Sequence, residues 1–289
     1  MNNILSEKEY QRYIIDQLVK PECGYVEAPG AEFDRLFAMN RKALFAFLEA
    51  TQPEKLQALR KIYKEKTEDT IVAFINQQET RANGSRLDVL KHGVELANIH
   101  LDLMYTKPAT TFNKELNALY HKNIFTVSEE VWASDDERID LVIFLNGLAI
   151  ITLELKCNAA GQSYQDAIYQ YRMQRNPKDR LFLWKAGSLV NFAMDLEQVY
   201  MCTRLSGSST FFLPFNMGCG EGIQVGAGNP LLEDEYSVHY MWDDILQKDS
   251  LLEILGKFMF IEVSEKEDAN GKVKKNETVI FPRYHQDRK

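Results

Sequence analysis

No two of the four cysteines (Cys23, Cys157, Cys202, Cys219) stand at the spacing of a zinc site or a redox pair. Scattered cysteines without a framework read as reduced packing residues, which predicts a cytoplasmic protein. No apolar run is long enough to cross a bilayer and no signal peptide is evident, so no membrane partner is expected. Neither Gly-Lys-Ser nor Gly-Lys-Thr occurs, so the glycine-rich stretch 218–230 lacks a phosphate-cradling motif and reads as a flexible loop. His92 and His100 have no second ligand at metal spacing and read as surface or packing residues. Basic charge is also short: 34 Lys and Arg against 42 Asp and Glu give a net charge of −8, which on the total alone argues against nucleic acid as a partner.

What is present is an ordinary globular composition, 45% hydrophobic and 26% charged over 289 residues, enough to bury a sizeable core. The chain is organised around 138–156. Two runs rich in Ile, Leu and Val flank Asn146-Gly147, a pair that accepts positive φ at both central turn positions, so the stretch predicts a β-hairpin. Asp140 lies near the start of the first strand; Glu154 and Lys156 close the second, on one face by strand alternation. Charges inside a buried sheet are costly unless they meet each other or a cation. Asp140 and Glu154 offer hard oxygen ligands for Mg²⁺, and Lys156 beside them could orient a water or offset developing negative charge. The spacing alone serves equally an exposed or salt-bridged set of residues at strand ends, because a single D…ExK pattern is short and common. From Lys156 to Lys185 six basic residues (Lys156, Arg172, Arg175, Lys178, Arg180, Lys185) outnumber Asp166 and Asp179, a local patch that a phosphate backbone would feel, or else a solvated helix end.

Around the hairpin, Ser6 with Glu9 three residues on makes a capping box for a first helix to about Lys20. Residues 31–66 predict two helices, the first from Phe33, Leu36 and Phe37 through Leu48, the second begun by Pro53. Thr70–Ile75 reads as a short strand, Arg86–Leu103 as amphipathic or partly extended, Thr111–His121 as a short helix and Ile124–Trp132 as a strand. Asp135, Asp136 and Glu137 form an acidic turn without an EF-hand pattern and read as solvated. A helix over 163–173 follows the hairpin. Leu181–Lys185, Ser188–Met194, Val199–Thr203 and Thr210–Leu213 then predict further strands, and Asp243–Lys257 an amphipathic helix. The fold class is α/β: a mixed sheet of five or more strands flanked by the first helix and the 163–173 helix, with an added, mainly helical N-terminal segment.

The sequence resembles a known family. Asp140 and Glu154-Leu155-Lys156 look like the PD-(D/E)xK nuclease motif. The text around them, Ile139-Asp140-Leu141-Val142-Ile143-Phe144-Leu145-Asn146-Gly147, resembles the N-terminal nuclease region of the R (restriction and motor) subunit of type I restriction enzymes. Ala167, Gln170-Tyr171, Leu181-Phe182, Asn191-Phe192-Ala193, Phe212-Leu213-Pro214-Phe215-Asn216, the stretch 226–230 and the closing Phe281-Pro282-Arg283-Tyr284-His285-Gln286 extend it.

The resemblance implies a Mg²⁺-dependent DNA endonuclease in which Asp140 and Glu154 hold the metal, Lys156 assists the attacking water and Gln170 positions DNA or that water. It implies double-stranded DNA and the methylation and specificity subunits of a restriction complex as partners, with ATP needed only by the full-length enzyme. Residues 1–260 would form the nuclease-like domain, with a helical insertion at about 31–120, and 261–289 a linker into an ATPase motor that this chain lacks. Two positions depart from the family pattern: Gln11 where the first helix carries a glutamate facing the metal, and Gln174 where a Gln-xxx-Tyr motif has its tyrosine. Glu7 or Glu9 reads as a helix-capping residue, and Gln170 alternatively as part of a polar helix face. The rival expectations are a catalytically inactive docking module on the same fold, and a nuclease acting on other nucleic acids.

Overall fold

A computed structural model describes residues 4–110, 112–218, 228–267 and 273–282. In chain order its main elements are helix α1 (Glu7–Leu18), strands β1 (Val26–Glu27), β2 (Phe33–Asp34) and β3 (Met39–Asn40), and helices α2 (Arg41–Thr51), α3 (Pro53–Tyr63), α4 (Thr67–Thr80) and α5 (Arg86–His92). Then come β4 (Val94–Leu96), β5 (Ile99–Leu101), α6 (Lys114–Tyr120), β6 (Phe125–Trp132), β7 (Arg138–Leu145), β8 (Leu148–Leu155) and α7 (Tyr164–Met173). β9 (Val190–Met194), β10 (Val199–Cys202), β11 (Leu213–Pro214), α8 (Lys248–Glu253), β12 (Phe260–Glu267) and β13 (Val273–Ile280) complete it.

The central sheet runs β1-β6-β7-β8-β9-β10-β11, with β3 also joined to β8. It is mixed: β1 lies parallel to β6 and β8 parallel to β9, while β6-β7, β7-β8, β9-β10 and β10-β11 are antiparallel. Every residue of β8 and all but the first of β7 are buried, so these strands read as continuous apolar runs, as a sheet covered on both faces requires. On one face α1 lays down Tyr10, Ile14, Ile15 and Leu18, within the same apolar core as α2–α5; on the other, Ala167 and Tyr171 of α7 pack with Val142, Phe144 and Ala193. The α/β class with a helix-flanked mixed sheet is thus what the sequence predicts.

The hairpin turn forms as its residues dictate. Asn146 and Gly147 have φ of 49° and 84°. The Asn146 side chain accepts from Ile124 N at 2.7 Å and donates to Leu103 O and Asn123 Oδ1, both at 2.9 Å, which ties β6 and the loop after β5 to the turn. The Ser6–Glu9 capping box is present on α1, and Ser163 with Asp166 makes a second one on α7.

Several expectations fail for identifiable reasons. Thr70–Ile75 lies inside α4: Ile71, Val72 and Ile75 share a buried helical stripe, and β-branched residues do not prevent a helix whose face is covered. Phe33, Leu36 and Phe37 are not helical; the chain turns between β2 and β3, and α2 starts only at the Asn40 N-cap. Leu181–Lys185 is no strand, because its carbonyls are spent locally: Ser188 N bonds Leu181 O at 2.7 Å and Gly187 N bonds Leu183 O at 2.6 Å. Of Thr210–Leu213 only Leu213 pairs, since Thr210 closes a tight turn onto Gly207. The Asp243–Lys257 helix is three short pieces, with wide turns at Met241–Ile245 and Ile254–Phe258 around α8. The charged stretch at 265–276, which reads in sequence as a hairpin or a linker, falls within an eight-pair antiparallel hairpin of β12 and β13. Most of the 218–230 loop, and Gln286, lie outside the described residues. Among the described residues no helix is long and apolar enough to cross a membrane.

Candidate active site

Leu141 pairs with Leu153 across the β7–β8 ladder, so Asp140 and Glu154 stand next to one another at the open end of the hairpin, with Lys156 just beyond the strand. All three are enclosed: Asp140 is 8% exposed, Glu154 0% and Lys156 2%. Lys156 N bonds Met194 O at 2.9 Å, which continues the parallel pairing to β9 and fixes where its side chain departs. The sequence-predicted trio is therefore brought together.

Each member has a definite partner. Asp140 Oδ1 accepts from Gln11 Nε2 at 3.0 Å and Oδ2 from Leu155 N at 2.7 Å. Lys156 Nζ donates to Glu7 Oε2 at 2.6 Å. Glu154 Oε1 accepts from Arg175 Nε at 2.7 Å, while Oε2 is shielded from solvent and has no hydrogen-bond partner among the described residues.

The electrostatics follow from burial. Burial pushes the Asp140 carboxyl up to about 6; the charges of Glu7 and Glu130 push the same way, and Leu155 N–H and Lys156 oppose them. Glu154 is raised well above the usual carboxylate range, first by burial and then by Asp140, with Arg175 and Lys156 pulling down. Glu130 has φ of 54° although it is not glycine, and lies between the pairs Glu129–Leu141 and Val131–Ile139, hence across from Asp140. Its side chain is ion-paired with Arg138. Strained backbone of this kind concentrates at functional sites.

A buried anionic oxygen without a donor is a high-energy arrangement that a proton or a cation relieves. Asp140 and Glu154 present carboxylate oxygens side by side across the hairpin, and the negative charges of Glu7 and Glu130 act on Asp140. That chemistry fits a hard divalent cation such as Mg²⁺, with Asp140 and Glu154 as the residues to hold it.

Sequence reasoning missed three participants. Glu7 does not cap α1; Glu9 does, accepting from Leu5 N and Ser6 N at 2.8 and 3.1 Å. Glu7 instead lies one helical turn before Gln11, on the face that reaches the trio, so α1 supplies a carboxylate at 7 and a neutral donor at 11. The i,i+4 spacing of Glu7 and Gln11 was the available signal. Glu130 and Arg175 had none. Gln170 is less directly placed. No hydrogen bond joins it to Asp140, Glu154 or Lys156 among the described residues, and its Oε1 is shielded without a partner. It sits on α7 beside Tyr171, whose hydroxyl is 2.8 Å from Thr152 Oγ1, two residues before Glu154.

The expected basic patch is largely consumed inside the protein. Arg175 pairs with Glu154, Arg180 with Glu79, Lys156 with Glu7 and Lys185 with Glu277. His92 and His100 are exposed, as expected, and Cys157 is a buried packing residue whose thiol reaches Ile4 O.

No curated protein matches the chain. The family model of the type I restriction enzyme R protein N terminus (HSDR_N) matches residues 4–210 of 289, so the chain belongs to that family, the nuclease region at the start of type I restriction R subunits.

Proposed function

We propose that this chain is a Mg²⁺-dependent endonuclease domain that hydrolyses phosphodiester bonds of double-stranded DNA without reading base sequence. The observation that carries the reading is the enclosed Asp140–Glu154 pair with Lys156 beside it and Glu154 Oε2 left without a donor. Bound there, Mg²⁺ would polarise a phosphoryl oxygen and ease deprotonation of a coordinated water. Asp140 and Glu154 hold the ion. Lys156, held by Glu7, would orient the attacking water or offset charge on the phosphoryl oxygens. Gln170, on the helix that follows the hairpin, would position the DNA or that water. The sequence carries neither a zinc site nor a recognition helix, so target choice falls to the methylation and specificity subunits of a restriction complex, and movement along DNA to its ATP-driven motor.

The test is nicking of supercoiled plasmid with Mg²⁺ in the reconstituted full-length complex, beside Glu154→Ala, Lys156→Ala and a chelated control. Loss of nicking in both folded variants supports the assignment; retained cleavage by either one overturns it. A second reading, a docking module without catalysis, is favoured by one observation: Lys156 and Glu154 are both already ion-paired internally. Calorimetry separates the two, since a docking module has no reason to bind Mg²⁺ through Asp140 and Glu154.

A further inference from the structure

We propose that Arg175 is the positioning residue that makes Glu154 a one-oxygen ligand and thereby sets which cation the site prefers. The inference rests on the metal-site reading above and deepens it.

Arg175 lies two residues past the end of α7, outside the helix, and only 8% of it is exposed. Its guanidinium spans the open end of the hairpin: Nε donates to Glu154 Oε1 at 2.7 Å on the β8 side, and an NH2 donates to Arg138 O at 3.0 Å on the β7 side. Arg138 is two residues from Asp140, so one rigid planar group ties the two strands that carry the carboxylates. A lysine could not do this, because its ammonium is a point donor on a flexible stem.

Among the described residues Arg175 is the hydrogen-bond donor to Glu154, and it takes one oxygen. The other, Oε2, is left buried and unpartnered on a side chain with no exposed surface. A carboxylate clamped through one oxygen offers a single oxygen to a cation. Mg²⁺ and Mn²⁺ accept this, since they favour octahedral oxygen coordination and keep several waters. Ca²⁺ favours six to eight oxygens and readily takes carboxylates through both. Arg175 therefore biases the site toward the smaller ions by denying the two-oxygen mode.

The experiment measures Mn²⁺ binding by the electron-paramagnetic signal of the free ion, and Ca²⁺ binding by calorimetry. It uses the full 289-residue chain and its Glu154→Gln, Arg175→Ala and Arg175→Lys variants, each checked for folding by circular dichroism. The expected result for Arg175→Ala is a loss of Mn²⁺ affinity of about 10- to 100-fold, the usual effect of removing a residue that orients a metal ligand. Ca²⁺ affinity should fall far less or rise, and Arg175→Lys should lie between. If folded Arg175→Ala binds Mn²⁺ as tightly as the unaltered chain, or loses both ions in equal proportion, the proposal is overturned. Should Arg175→Ala fail to fold, Arg175→Lys carries the test, and an unchanged Mn²⁺ to Ca²⁺ preference there overturns it. Mn²⁺ binding by Glu154→Gln equal to that of the unaltered chain would instead remove the metal-site reading itself, whatever Arg175 does.

Discussion

Replacing Asp140 by Asn should stabilise this protein at neutral pH. The Asp140 carboxyl is pushed up from 3.8 to about 6 by burial and by neighbouring Glu7. A carboxyl whose folded value lies above its unfolded one binds its proton more tightly in the folded state. Its contribution is then most favourable below about pH 4 and is lost as pH rises through about 6. Two units at about 1.4 kcal/mol each make the ionised form roughly 3 kcal/mol costly to the fold at pH 7.5. Asn removes that charge and can keep both hydrogen bonds, because its oxygen still accepts from Leu155 N and its amide can donate to Gln11 once the Gln11 amide turns over. At about 2–4 °C per kcal/mol, the midpoint of thermal unfolding at pH 7.5 should rise by roughly 6 °C or more, with little change at pH 4. Added Mg²⁺ should raise the midpoint of the original chain and not that of the variant. A variant less stable than the original at pH 7.5, or one with the same slope of stability between pH 4 and 7, would refute the reasoning. That result would mean Asp140 serves the fold rather than a ligand.

Other perturbations probe how the site is held. Gly147→Ala places a methyl 2.5 Å from Asn40 O and 2.6 Å from Leu44 N at φ of 84°, so chemical denaturation should show a loss of more than about 1 kcal/mol, where a tolerated Gly–Ala exchange would gain stability. An unchanged midpoint would mean that α2 does not seat on the turn. Glu79→Leu leaves Arg86 and Arg180 facing each other without their shared carboxylate, both partners of the Arg86–Glu79 pair being fully buried. A cost of about 3–5 kcal/mol in urea unfolding is expected. Glu7→Gln should reduce plasmid nicking by the full complex while leaving the Glu9 cap, and with it the helical content by circular dichroism, intact.

Much of this was legible in the sequence because it is written in short-range chemistry. Asn146-Gly147 specifies its own turn, Ser6 with Glu9 satisfies orphan donors of the helix it opens, and a 13-residue interval between Asp140 and Glu154 around that turn forces the two carboxylates side by side. The uninterrupted apolar strands fix burial for whatever charge they carry. The stretches misread as strands, Thr70–Ile75 and Leu181–Lys185, share one cause. A short run of β-branched or apolar residues is compatible with a helix face or a turn, and which one forms depends on what covers it. Only the tertiary structure decided how the charges pair. Lys156 finds Glu7 from 149 residues away in sequence, Arg175 finds Glu154 from 21, and Gln11 reaches Asp140 from 129. An ion pair inside a protein is chosen by proximity and shared desolvation, not by neighbourhood along the chain. The same long-range pairing turns an apparently basic segment into internal counter-charge and leaves one oxygen of Glu154 free.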